Sequence, residues 1–549
     1  MILEFRYHRV ENWPPGAWLA HCRQGLGHID VMHGADVVTT PEWFGEIVWA
    51  GEFPNGDFDA TDVVFGSGAR GRDDLGVVFV SSASTVDRLQ ALRRGSDTWV
   101  SNSLACLLAG SGTAVDLTYS GYPKDFRTVI RGVNRYRRSI PTADQPVQLV
   151  YYDNLVWDGT SLSQRPKPNP RRDFTSFEAY RKFVEDALRA LATNMRAPER
   201  ATALRFLGTI STGYDSATAA ALTQPFGLRD AITFTEARSG ESDSGAAVAR
   251  AMGVTLHSFS RDAWQIMGRS EFGPAAPEVL FLASDGKGED VFFRAVEPLL
   301  RGRVLVTGFH GDKMWDIATR ALGPDIIRGD QSGLSLTEYR LWAGFIHCPI
   351  AFLGVRQIAD VHALGLSAEM AAWDVGGDYT RPICRRVVEQ AGVPRLAFGQ
   401  TKKAASVHFY YHGNFLSPDS TKTFLGWLAD QQLAGSRQLG QRTKVQRVAG
   451  WLSRVLRGVA TYVPAPFNVL RRAAGRFETI AQRERLFAHV FAWAIEQVAA
   501  CYEAGLQEVT RRTTRTWNAL PVLIGATGEP PVGAVGVTPA KGTSTDPPL

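Results

Sequence analysis

Six consecutive residues carry the strongest chemical promise in the chain: Ser211, Thr212, Gly213, Tyr214, Asp215 and Ser216. They follow ALRFLGTI, which reads as a buried strand, and run into SATAAALTQ, which reads as a helix. A short loop with a hydroxyl at each end, at a helix N-terminus, presents backbone N–H groups and the positive end of the helix dipole. That is an anion site. Asp215 would repel a bare phosphate, but it has a place there if it holds a Mg2+ that bridges to phosphates. The same residues also suit an ordinary strand-to-helix turn with Asp215 and Ser216 as caps. The spacing of Gly208 and Gly213 mimics a Walker A loop, yet Tyr214 and Asp215 stand where its Lys and Ser/Thr belong. Without that lysine no charge holds the β and γ phosphates, so P-loop chemistry of that type is excluded.

Three other patterns are weaker. Gly66 to Gly71 fits GxGxxG after the strand-like TDVVF, but RDDLGVVFV follows it as turn and strand. A dinucleotide site needs a helix there, so a glycine-rich hairpin is the better expectation. His408 and His412 stand i, i+4 in HFYYH with no Glu after the first, and two ligands alone make a poor zinc site, so aromatic packing is expected. Arg381, Arg385 and Arg386 in RPICRR could grip a phosphate or carboxylate, or form a surface cluster.

These loops need a scaffold. The 549 residues are 44% hydrophobic and 21% charged, ordinary globular figures with material for several cores. A net charge of +5 is too small for a general nucleic-acid binder. Five scattered cysteines without a CxxC pair suit a reduced cytoplasm and offer no cysteine zinc framework. The first residues lack a basic segment followed by an apolar one, so no secretory signal is expected. No uncharged apolar run reaches the roughly 18 residues of a spanning helix.

Residues 1–162 read as short strands broken by Gly, Asn and Asp, a strand-rich α+β domain. Residues 163–173, SQRPKPNPRRD, read as a linker. From 174 to 425 strands alternate with helices: ALRFLGTI, AITFT, VTLHSFS and RVLVTGF are the strands. This predicts an α/β domain with a parallel, Rossmann-like sheet and helices on both faces. Residues 426–510 read as helical, with an apolar stripe at Val445, Val448, Trp451, Leu452, Val455 and Val459 among many arginines. That pattern is either a solvated basic face or a contact with anionic lipid or an acidic partner. Residues 518–549 are rich in Pro, Gly and Thr and read as a disordered tail.

Taken together, the motifs resemble those of the asparagine synthetase family, whose members cleave ATP between the α and β phosphates. Ser211–Ser216 resembles the family's SGGxDS pyrophosphate loop, with Thr212 in place of the first glycine. Glu241-Ser242-Asp243 and AAVARAMGVTLH resemble its second strand–helix unit, RVLVTGFHGDKMWD its GxGxDE loop, and FGQTKKA its late lysine segment. The likeness covers about residues 175–425. It implies that ATP contacts Ser211 to Ser216, Thr233 and Gly308, and that Asp215 and Asp312 hold Mg2+. It also implies that Lys402 or Lys403 meets the α-phosphate and the intermediate. Phe309 and Lys313 replace acidic residues of that loop, which leaves His310 either as a base near neutral pH or as a loop histidine.

Asp87-Arg88-Leu89 and WVSNSLACLL resemble the end of the family's glutamine-hydrolysing domain. Residue 2 is Ile and no Cys is near it, so the nucleophile is missing and a degenerate domain like that of β-lactam synthetases is implied. The implied activity is adenylation of a small-molecule carboxylate, then C–N bond formation with an amine or ammonia. A hydroxyl or thiol acceptor, or an inactive scaffold that binds nucleotide or a partner, is the alternative. A cytoplasmic location, no nucleic-acid partner and a homodimer complete these expectations.

Overall fold

The computed structural model describes residues 3–267, 276–377, 379–407, 416–433, 444–461, 470, 473–474, 476–477 and 487–519. Residues 1–507 form one compact unit. The first part of it is strand-rich. A seven-stranded and a six-stranded sheet share one apolar core, with Trp18, Val31, Leu89 and Val100 from the first meeting Phe44, Phe79, Leu155 and Trp157 from the second. Period-2 alternation of apolar residues gives each sheet such an inner face. The GxGxxG glycines lie inside the strand Val64–Arg72, paired antiparallel with Trp43–Trp49 and Gly76–Val80. No helix opens after them, and the chain turns back at residues 73–75.

The expected linker is packed down. Leu162–Arg165 is itself a strand on a sheet edge. Lys167 is buried and donates to Asn154 Oδ1 at 2.6 Å. The Arg172 guanidinium pairs with Asp62 and lies 4.2 Å from the Phe183 ring centroid. Proline stiffness alone does not free a segment whose cations find buried partners.

The second part is mixed α/β around a five-stranded parallel sheet. Its spatial order is Thr255–Phe259, Asp230–Phe234, Arg205–Thr209, Arg303–Thr307, Phe345–Pro349. The four expected strands are present, and Phe345–Pro349 is added. Parallel neighbours require crossovers, and the helices Tyr214–Thr223 and Ala246–Met252 supply the first two. The chain begins at the central strand, moves outward twice, then crosses back to Arg303–Thr307. The strand order therefore reverses between Arg205–Thr209 and Arg303–Thr307. Loops leaving the carboxyl ends there diverge and open a crevice.

Helices follow at Pro418–Asp430, Lys444–Thr461 and Phe487–Ala519. The last is no loose appendage. Tyr502 is buried, donates to Glu338 Oε1 at 2.8 Å, and accepts from Trp13 Nε1 through its carbonyl at 3.0 Å. The tail expected from 518 lies outside the described residues beyond Ala519, as do His408 and His412. Among the described residues no helix is long and apolar enough to cross a membrane. All five cysteines are free, and four are buried.

Candidate functional site

The strand Arg205–Thr209 ends at the 211–216 loop, and the helix Tyr214–Thr223 starts with Gly213 as its N-cap. Within the loop, hydroxyls and a carboxylate take up amides. Ser211 N–H donates to Ser216 Oγ at 3.0 Å, Gly213 N–H to Ser211 Oγ at 3.1 Å, and Thr212 N–H to Asp243 Oδ1 at 3.2 Å. The Thr212 hydroxyl bonds the same Asp243 oxygen, and the Ser211 and Ser216 hydroxyls stand 2.9 Å apart. A rotating hydroxyl both accepts and donates, so an anion arriving here meets two O–H donors that can swing toward it. The fourth residue of the motif is an anchor. Tyr214 is fully buried, its hydroxyl accepts from Arg385, and its ring lies 4.9 Å from that of Tyr379. Gly399 packs on that ring at φ +64, where any Cβ would collide with it, and donates to the Thr212 carbonyl at 2.8 Å.

Asp215 and Asp312 come together. Their parent strands are adjacent and parallel, with Gly208 beside Val306, so both loops leave the same edge of the sheet. Gly308 lies directly on the first loop: a Cβ there would stand 2.5 Å from the Ser216 amide nitrogen. Gly311 abuts the Asp215 carboxylate in the same way. Burial pushes the Asp215 carboxyl above its ordinary value; Arg381 pulls it back, Asp312 raises it further, and Lys402 opposes the rise. Burial likewise raises Asp312, with Asp330 adding to it and Arg381, Lys402 and Lys313 opposing. Asp215 keeps 27% of its side chain exposed, so the pair is reachable from solvent. Two carboxylates pushed up by burial and by neighbouring acids are short of a cation. The Arg381 guanidinium partly supplies one, bonding Asp215 and reaching Asp316 at 3.5 Å.

No protein-family model matches the chain, and no curated protein matches it significantly.

The other expected residues divide. Lys402 is exposed and acts electrostatically on both aspartates, whereas Lys403 donates its Nζ to the Ser242 carbonyl at 2.6 Å. Of the two lysines, Lys402 faces the acids and Lys403 ties down its segment. Thr233 is buried and its hydroxyl accepts from the Gly245 amide at 3.0 Å, a structural link beneath the loop. His310 does not fit a base. It is buried at φ +75, stacked 4.7 Å from the Phe352 ring, with neither ring nitrogen hydrogen-bonded. Burial lowers its pKa to about 3, which makes it a weak proton acceptor away from solvent. In the arginine cluster only Arg381 meets the aspartates; Arg385 holds Tyr214 and Glu389, and Arg386 pairs with Glu369 at 2.8 Å.

Asp243, Tyr379, Asp316 and Asp330 were missed as neighbours of the site. Asp243 and Asp316 had a sequence signal, their positions in the second strand–helix unit and at the end of RVLVTGFHGDKMWD. Among the described residues no group of three or more His, Cys, Asp or Glu could hold a metal alone. Mg2+ asks for less, since one or two carboxylates plus phosphate oxygens and water suffice. Asp215 and Asp312 fit that donor set. Two clefts, of about 500 Å3 beside Arg93 and Gln148 and about 220 Å3 beside Arg181 and Met252, lie away from these residues.

Proposed function

We propose that the chain is an ATP-dependent ligase of the asparagine synthetase type, built on a Rossmann-like pyrophosphate-loop domain. It adenylates a substrate carboxylate and forms an amide or other C–N bond. One observation carries this reading: Asp215 and Asp312 converge at the strand-order reversal, beside a hydroxyl-lined helix start and under the field of Lys402.

The residues then have distinct tasks. Ser211 and Ser216 turn their hydroxyls, at the positive end of the helix Tyr214–Thr223, toward the β and γ phosphates that leave as pyrophosphate. Asp215 and Asp312 would hold Mg2+, which would supply charge neutralisation to the phosphates. Arg381 pairs with Asp215 and Asp316, so it would hold the Asp215 carboxylate in place and could keep Asp316 if Asp215 turned to a cation. Lys402 stabilises charge developing on the α-phosphate, a role worth on the order of 3 kcal/mol. An amine or ammonia then displaces AMP. A nitrogen source other than glutamine goes with this reading; it is supported by Cys22 and Cys106, the cysteines of residues 1–162, which are buried with their thiols pushed up by burial.

ATP–pyrophosphate exchange across a panel of carboxylates tests the reading. Asp215→Ala, Asp312→Ala and Lys402→Ala should each lose about a hundredfold or more in exchange, measured at a temperature where melting shows each variant folded. Full exchange in both aspartate variants removes the metal role. A non-catalytic scaffold is favoured by one feature, the Arg381–Asp215 pair that already fills the cation position. Calorimetry decides between them, because a scaffold of that kind gives no heat with ATP and Mg2+.

A further inference from the structure

Among the described residues, nine large hydrophobic side chains stand out in water, and five belong to the helix Lys444–Thr461. They are Val445, Val448, Trp451, Val455 and Val459, between 40% and 67% exposed. The helix rests on the protein by a seam of small residues instead. Ala449 and Ser453 are buried, and Ser453 Oγ donates to the Ala474 carbonyl at 3.0 Å. The valines recur at helical spacing beside that seam, so folding leaves a continuous apolar stripe uncovered.

The charge around the stripe is one-sided. Residues 431–477 hold nine Lys and Arg and no Asp or Glu. Lys444 and Arg454 are exposed on the helix itself. Trp451 lies one turn from both Arg454 and Val455, at the border between cation and apolar stripe, where an amphipathic indole serves as an interfacial anchor. Two copies of so cationic a segment repel one another, which disfavours self-association through this face. An acidic protein would need an apolar groove framed by its carboxylates. A bilayer offers anionic headgroups and apolar depth across one plane. The helix is too polar to span it.

We propose that the helix Lys444–Thr461 lies in the interface of an anionic membrane, seating Val448, Trp451 and Val455 below the headgroups. This inference does not depend on the ligase reading. Flotation of the full chain with vesicles tests it. The protein should float with phosphatidylcholine vesicles containing about 30 mol% phosphatidylserine and not with phosphatidylcholine alone, and salt should weaken binding. Val448→Asp with Trp451→Asp should cut the bound fraction about tenfold or more. These positions face water, so melting should not change; Lys444→Glu with Arg454→Glu provides an independent charge variant with the same expected loss. Failure to float, flotation untouched by both double variants, or a dimer that Trp451→Asp dissociates would each overturn the proposal.

Discussion

At the residue scale the site depends on charges that are costly to bury. Burial raises the pKa of both Asp215 and Asp312, Asp312 adds to the rise at Asp215 and Asp330 to the rise at Asp312, and Arg381 and Lys402 moderate both. Such clustering of perturbed carboxylates marks places where a protein has given up stability for binding. His310 belongs to the same neighbourhood with a different meaning. Its folded pKa of about 3 lies below the ordinary 6.5, so between those values the unfolded chain takes a proton that the folded one refuses. Stability therefore rises with pH across that window, and is lost as pH falls from 6.5 toward 3. His310→Phe keeps a ring for Phe352 and should remove this dependence. Denaturant unfolding at about pH 5 and about pH 7.5 should show the wild type losing about 2 kcal/mol more than the variant. The buried His347, also lowered to about 3 by burial, keeps its own share in both proteins.

At the scale of elements, two strand ends and two loops are pressed into contact. The Gly308 Cα lies so close to the backbone between Asp215 and Ser216 that no rotamer change could admit a methyl group. Gly308→Ala should destabilise by about 1–3 kcal/mol and push the loops apart, weakening exchange more than stability predicts. Gly323→Ala is the control, because a Cβ at that exposed glycine meets nothing within 4 Å. Thermal melting of the two variants reads the difference. The glycine thus performs its task through packing.

At the scale of the whole molecule, a buried network joins the strand-rich part to the parallel-sheet part. Arg340 donates to Glu46 Oε2 at 2.7 Å and to Asp87 Oδ1 at 2.8 Å, with all three side chains at most 5% exposed. Ser103 donates to Glu338 Oε2 at 2.7 Å, and Tyr502 donates to the other oxygen of that carboxylate. The first 162 residues are therefore a wall of the same compact unit. Arg340→Leu strands two carboxylates in the interior and should cost about 3–5 kcal/mol. Calorimetry should show one lowered transition for the entire unit, since both halves lose the shared ion. Two separate transitions would mean that the halves fold independently.

Local pattern in the sequence was enough to determine the alternating strands and helices of residues 205–307, the hairpin nature of Gly66–Gly71, and the loop at Ser211–Ser216. Periodicity and turn chemistry act over a few residues, and a linear reading captures them. It did not determine which acid meets which. Asp215 and Asp312 are 97 positions apart, Arg381 a further 69, and Asp330 carries no local mark. Only the strand order, with Arg205–Thr209 beside Arg303–Thr307, makes them neighbours. The same holds for His310, whose residue type suggested a base while its surroundings removed the water that a base needs. Chemistry at a site depends on distance and dielectric, and both are properties of the folded chain.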